Sequence, residues 1–347
     1  MGEFPGWWQG KIPSANCFLG YFRRHSLKKN ESKKWKLSRR KFVGLAAATT
    51  AGAWFSFSNH AGARFVRQAL QETTRDILPA PHKPSPLTWS DREITASWLG
   101  HATVLVNFYG LTILTDPTLM PRIGANVGIA TVGPKRLVDA PLHFSELPPI
   151  DLVLLSHAHM DHFDIPSLQK FPAATKAVTS ASTLDLFSGM KFRDNAKELR
   201  WGEAQMVRTA HGDVRVEAFE VKHWGARWRH DKQRGYNGYI LEREGRKVMF
   251  GGDTSITDKF EAIRSKGPFD LAIMPIGSYK PFKKNHCTPE ESVSMLNDAR
   301  AEKILPIHFK TFRLGEEGTV EPMERLQGCI AHDRIALRDI GETFRLS

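Results

Sequence analysis

Ser156-His157-Ala158-His159-Met160-Asp161-His162 is entered from the apolar run Ile150-Asp151-Leu152-Val153-Leu154-Leu155 and left through Phe163-Asp164, and its reading decides the fold. Positions 157–162 hold three histidines and an aspartate. The run before them reads as a buried strand. A strand end suits a metal site, because the sheet fixes the backbone while the loop turns side chains inward. His157 and His159 are two residues apart, so extended backbone points them to the same side. Asp161 and His162 follow the turn and can reach a second ion. Imidazole and carboxylate together suit zinc and related divalent metals. Without a compensating partner, such groups at the mouth of a buried strand would be costly to desolvate.

His157-x-His159-x-Asp161-His162 resembles the signature of the metallo-β-lactamase superfamily. The similarity extends to the branch containing the N-acylphosphatidylethanolamine-hydrolysing phospholipase D. It is carried by Trp98-Leu99-Gly100-His101-Ala102-Thr103, Leu114-Thr115-Asp116-Pro117, Gly133-Pro134-Lys135-Arg136, Ser145-Glu146-Leu147-Pro148-Pro149-Ile150-Asp151, Gly267-Pro268-Phe269-Asp270-Leu271-Ala272 and Pro275-Ile276-Gly277, in that order. The resemblance implies an α/β (α+β) fold, a four-layer αββα sandwich, over residues 87–347. It also implies the remaining ligands. His223, at the end of Glu220-Val221-Lys222-His223, would join His157 and His159 at one ion. His308, after Ile304-Leu305-Pro306-Ile307, would join Asp161 and His162 at the other, and Asp253, after Gly251-Gly252, would bridge the pair. The cofactor expectation is therefore two zinc ions, with manganese or iron(II) as substitutes.

Two divalent ions about 3.5–4 Å apart can hold a hydroxide that attacks near neutral pH. The implied reaction is hydrolysis with Asp161, Asp253 and His286 in catalytic roles and no covalent intermediate. No Gly-x-Ser-x-Gly elbow suggests a serine nucleophile, and no phosphate-binding Gly-x-x-x-x-Gly-Lys-Ser/Thr loop is present. His286 matches a family histidine near the substrate phosphate, where it would position that group or protonate a leaving oxygen. One departure is Asn285, where the family carries glutamine. Trp224, Tyr279, Lys280 and His286 are the substrate-binding candidates, on loops mixing aromatic and cationic residues. Such a mixture suits an anionic head group with apolar tails, and equally an ordinary solvated basic face. The substrate expectation is a phospholipid or other anionic ester presented at a membrane surface. A lactonase of the ascorbate-phosphate type is the nearest enzymatic alternative, and a noncatalytic metal-binding envelope protein the alternative from another class.

The formal charge of +12 first suggests nucleic acid. Residues 1–63, however, hold eleven Lys or Arg against two Glu, so nine of those charges belong to the leader and no nucleic-acid partner is expected. Ser38-Arg39-Arg40-Lys41-Phe42-Val43, the weakly apolar run 44–57 and Ala61-Gly62-Ala63 resemble a twin-arginine export signal. Its partner would be the export machinery, and its destination the periplasm or the outer face of the bacterial inner membrane. An uncleaved anchor and a disordered basic tail stay open. A homodimer also stays open.

Residues 64–78 have helical composition, and Pro79-Ala80-Pro81-His82-Lys83-Pro84-Ser85-Pro86 reads as a linker before the domain. Strands are expected at Ile94–Trp98, Val104–Phe108, Leu111–Thr115, Ala177–Thr179 and Val214–Val221, and helices at Ile165–Lys170 and Thr183–Phe187. Thr288, Pro289 and Glu291 form a helix-start signal directly after His286. Asp116 would steady a metal-bound histidine or cap its loop, and His101 is expected to hydrogen-bond rather than ligate. Cys287 and Cys329 show no metal-ligand spacing, and their pairing is open.

Overall fold

Ala96, Trp98, Val104, Val106 and Phe108 join one apolar cluster, whereas Leu99, Leu105, Leu114 and Val153 join another, so the first strands bury both faces. The computed structural model describes residues 75–126, 131–228 and 230–347. In chain order, its first half supplies β1 (Ile94–Gly100), β2 (Thr103–Phe108), β3 (Leu111–Thr115), β4 (Ala125–Asn126), β5 (Thr131–Val132), β6 (Leu152–Leu154), β7 (Lys176–Ser180) and β8 (Ala196–Leu199). The second half supplies β9 (Ala204–Thr209), β10 (Gly212–Phe219), β11 (Gly238–Arg243), β12 (Arg246–Phe250), β13 (Phe269–Pro275), β14 (Ala301–Ile307) and β15 (Thr343–Leu346). Among the described residues four α-helices intervene, α1 (Ile165–Leu168), α2 (Lys259–Ala262), α3 (Pro289–Asp298) and α4 (Glu321–Cys329).

One sheet runs β15-β1-β2-β3-β6-β7-β8 and the other β14-β13-β12-β11-β10-β9, with β4 and β5 paired separately. The sheets share the larger apolar cluster, which also takes in Val293 and Leu296 of α3 and Leu326 of α4. The smaller cluster covers the outer face of the first sheet with Phe163, Leu168, Phe187 and Phe192. The layers are therefore helix, sheet, sheet, helix.

Strand direction is what positions the site. In the first sheet β1 and β3 are each antiparallel to β2, and β6 is parallel to β3. In the second, β10 and β12 are each antiparallel to β11, while β13 and β14 continue parallel to β12. Hence β1, β3 and β6 end at one edge of their sheet, and β10, β12 and β14 at one edge of theirs. Those ends lead into His101, Asp116, His157, His223, Asp253 and His308. A hydrogen bond from Asn237 N to Ser156 O (3.0 Å) and a bridge between His157 and Tyr236 link the two edges.

Several boundaries differ from expectation. β6 is trimmed to three residues, β10 starts and ends two residues early, and the helix expected at Thr183–Phe187 is one 3-10 turn, Leu184–Phe187. The leader expected at 1–63 and most of the helix expected at 64–78 lie outside the described residues. Residues 75–78 are not helical; Leu78 instead bridges Val138, its N–H donating to Leu137 O at 3.0 Å. A main-chain partner in the loop outweighs helical composition there. Cys287 and Cys329 are both free thiols. Among the described residues no helix is long and apolar enough to cross a membrane.

The start of α3 follows its sequence signal. Thr288 Oγ1 accepts from Glu291 N (3.3 Å) and Glu291 Oε2 accepts from Thr288 N (2.9 Å). Thr288→Ala is expected to cost about 1 kcal/mol in denaturant unfolding, and Thr288→Ser much less. Equal stability of all three proteins would show the cap to be idle.

Candidate metal centre

Nine polar side chains from both sheet edges meet in one cluster. Asp253 Oδ2 lies near its middle, 3.0 Å from His308 Nε2, 3.1 Å from His162 Nε2, 3.8 Å from His286 Nδ1 and 3.9 Å from His223 Nε2. Asp161 Oδ2 stands 3.5 Å from both His162 Nε2 and His308 Nε2. On the other side, His159 Nδ1 is 2.8 Å from His157 Nε2 and 3.3 Å from His223 Nε2. The candidate ligand atoms thus form neighbouring sets, His157 with His159 and His223, Asp161 with His162, His308 and His101, and His223 with Asp253 and His286.

Outer partners fix which imidazole nitrogen faces inward. Asp116 Oδ2 accepts from Ser156 Oγ (2.5 Å), leaving that oxygen to accept from His157 Nδ1 (2.9 Å). The lone pair of His157 Nε2 then points into the cluster. His162 Nδ1 donates to Asp116 Oδ2 at 2.6 Å, and His223 Nδ1 to Asn285 O at 3.0 Å, with the same consequence for each Nε2. Asp116 therefore both steadies a cluster histidine and anchors its loop, since Oδ1 accepts from Ser156 N at 2.8 Å. His101 plays the hydrogen-bonding part, with Nε2 3.0 Å from Asp161 Oδ2.

Backbone geometry serves the same end. His101, Asp116 and His308 all have positive φ, a sparsely populated region for residues with a side chain. At Gly252, with φ +56°, an added Cβ would meet Ser156 Cβ at 2.8 Å, so only glycine admits this close approach.

The two carboxylates and the imidazoles around them set one another's charge. Burial drives His157 and His223 well below the ordinary imidazole range, and His159 down to about 4. These three imidazoles are neutral at pH 7. At His162 and His308 burial acts in the same sense, but the neighbouring carboxylates outweigh it. His162 is raised well above its usual value and His308 to about 9. Asp161 and Asp253 are held well below the carboxylate range by the surrounding imidazoles despite burial. Buried polar atoms without a hydrogen-bond partner include His159 Nε2, His162 Nε2, His286 Nδ1, both nitrogens of His308 and Asp253 Oδ1. Unsatisfied polar atoms are rare in folded proteins, and their concentration around one point fits a set of metal donors.

The loop residues divide. Trp224 is half exposed with its ring 4.4 Å from that of His159, and exposed Phe282 lies 6.5 Å from His286, so both stand at the mouth. Tyr279 and Lys280 turn elsewhere. Tyr279 is buried with its hydroxyl on Glu321 Oε1 (2.9 Å) and Arg325 over its ring, and Lys280 Nζ pairs with the same oxygen at 2.7 Å. Their expected place at the substrate fails because α4 offers a carboxylate that sequence distance concealed. Arg227, one of the cations on the loop expected to meet an anionic head group, instead turns inward, its Nη1 donating to Ala158 O (3.1 Å) and Phe163 O (2.8 Å) and spanning the loop of His159, Asp161 and His162. Carbonyl acceptors leave no side-chain signature, so residue spacing could not reveal it.

Comparison with known proteins agrees with this geometry. Residues 112–309 match the beta-lactamase superfamily domain. The chain is 31% identical over 301 residues to the N-acyl-phosphatidylethanolamine-hydrolyzing phospholipase D 1 of Caenorhabditis elegans, covering 78% of this chain and 84% of that one. It is also 31% identical over 246 residues to the mitochondrial N-acyl-phosphatidylethanolamine-hydrolyzing phospholipase D of Saccharomyces cerevisiae, covering 67% of this chain and 50% of that one. Among solved structures, the isothiocyanate hydrolase from Delia radicum gut bacteria shares the fold at a TM-score of 0.58 and 18% identity, over 73% of this chain and 99% of that one.

Proposed function

The chain belongs to the metallo-β-lactamase superfamily of metal-dependent hydrolases, in the branch of the N-acyl-phosphatidylethanolamine-hydrolysing phospholipases D, and from that premise we propose that it is a two-zinc phosphodiesterase acting on a phospholipid. The observation that carries this reading is the convergence of His157, His159, His223, Asp161, His162 and His308 in one cluster with Asp253, whose Oδ2 lies 3.0 Å from His308, 3.1 Å from His162 and 3.9 Å from His223. In the proposal the first three hold one ion, Asp161, His162 and His308 the other, and Asp253 lies between them. When bound, such a pair lowers the proton affinity of a water and stabilises charge developing on a phosphoryl oxygen.

The chain's own residues supply orientation. Burial lowers His286 to about 4 against the pull of Asp253, leaving a neutral imidazole with Nδ1 buried and unpartnered. A neutral His286 offers a hydrogen bond to a phosphoryl oxygen, so positioning is its better reading than proton delivery. Trp224 and Phe282 at the mouth present apolar rings to acyl chains, and the neighbouring exposed Lys284 presents charge to a membrane surface.

The test supplies the purified zinc-loaded full chain with an N-acylphosphatidylethanolamine in mixed micelles, a water-soluble phosphodiester, a lactone and a β-lactam. Turnover of the phospholipid, abolished by chelation and restored by zinc, is expected. Turnover of the lactone alone would replace the proposal with a lactonase. Bound metal with no turnover of any would replace it with a noncatalytic metal-binding protein.

A further inference from the structure

We propose that Arg136 is a positioning residue for the ion assigned to Asp161, His162 and His308, a role that rests on the two-ion reading above. Arg136 comes from the irregular stretch between β5 and β6 and is fully buried. Its guanidinium is spent on main-chain carbonyls. Nη2 donates to Thr118 O at 2.7 Å and Leu99 O at 3.4 Å, and Nη1 to Val138 O at 3.2 Å and Leu99 O at 3.5 Å.

The identity of those carbonyls gives the inference its content. Leu99 lies two residues before His101, and Thr118 two residues after Asp116. His101 is the side chain that holds Asp161 Oδ2, and Asp116 is the one that holds His162 Nδ1. One planar fork thus ties the end of β1 to the loop after β3, the two segments that aim two of the three ligands of a single ion. A third contact leads the same way. The Arg136 Cζ sits 5.4 Å from the Phe312 ring centre, and that ring packs edge-on against His101 at 5.3 Å.

Keeping a guanidinium here is costly. Burial lowers Arg136 to about 10 even with Asp139 and Asp164 favouring its charge, and Nε has no hydrogen-bond partner. It nevertheless stays charged at neutral pH, and its donors reach loops that a neutral side chain of that length could not clamp together. The other ligand set has supports that Arg136 does not reach. His223 rests on Asn285 O, and His157 is held by a main-chain bridge to Tyr236 in addition to the Ser156 hydroxyl that Asp116 orients. Loosening the Arg136 clamp therefore acts unevenly on the two ions.

The test counts zinc per chain after dialysis and titrates each ion with a competing chelator, in the full-length wild type, Arg136→Met, Arg136→Lys and Phe312→Leu. The wild type is expected to hold two ions. Arg136→Met is expected to keep one and to release the other about 10- to 100-fold more readily, the range for losing a partner behind a ligand. Arg136→Lys, which keeps the charge but not the fork, should fall between. Unchanged affinities in Arg136→Met, or a parallel weakening of both ions, would overturn the assignment. Should Arg136→Met fail to fold, Arg136→Lys and Phe312→Leu decide by the same criterion of uneven loss. A wild type holding fewer than two ions would overturn the two-ion reading first, and this inference with it.

Discussion

Asp253→Asn is expected to lower phosphodiester turnover by about a thousandfold, or ~4 kcal/mol of barrier, and to reduce the zinc content of the purified protein. The substitution preserves shape, so the effect isolates charge and donor character. Asp253 Oδ2 lies within 3.9 Å of nitrogen atoms on four histidines, of which His162 and His308 are raised well above and to about 9 largely through its charge. An amide there carries no charge and can turn an N–H toward inward-facing lone pairs or a cation. Either change removes the attraction that makes a buried cluster of imidazoles tolerable. Metal analysis and kinetics on the same preparation check this. Full zinc content with turnover within about tenfold of wild type would remove Asp253 from the centre of the chemistry.

The second large effect belongs to a residue outside the ligand set. Asp116→Ala should destabilise the fold by about 3–5 kcal/mol, because it strips a buried carboxylate from three donors at once. Ser156 N, Ser156 Oγ and His162 Nδ1 all lie within 2.8 Å of its oxygens, and the residue has no exposure. With that acceptor gone, Ser156 Oγ can no longer be relied on to fix the tautomer of His157, and His162 loses the partner that aims it. Asp116→Asn should be milder, since an amide oxygen still accepts one of these bonds. Denaturant unfolding of both variants measures the difference. A cost for alanine below about 1 kcal/mol would mean that water or a neighbour replaces the carboxylate, and that Asp116 does not organise the site.

Much of the fold and of the candidate site was legible locally. β3 was bounded correctly because Leu111–Thr115 is apolar and enclosed by a Tyr109-Gly110 turn and Asp116-Pro117. The start of α3 was legible because Thr288, Pro289 and Glu291 each satisfy a separate requirement of a helix terminus. Failures came where the deciding partner was remote. β11, although antiparallel to both neighbours, gave no pattern strong enough to be read, and residues 75–78 gave up helix for pairing near Val138. Tyr279 and Lys280 looked like substrate contacts until Glu321, some forty positions away, claimed both.

The sequence by itself determined which kinds of side chain stand at the ends of apolar strands, because strand character and the turn after it depend on neighbours only a few residues away. It therefore determined a supply of imidazoles and carboxylates suited to divalent metal. Only the tertiary structure decided how those groups serve one another. The docking of two sheet edges sets Asp253 among histidines from both, hands Asp116 both Ser156 and His162, aims His101 at Asp161, and runs Arg136 between the loops behind them. Such relations depend on strand order, twist and packing across dozens to hundreds of residues, and no local pattern encodes them.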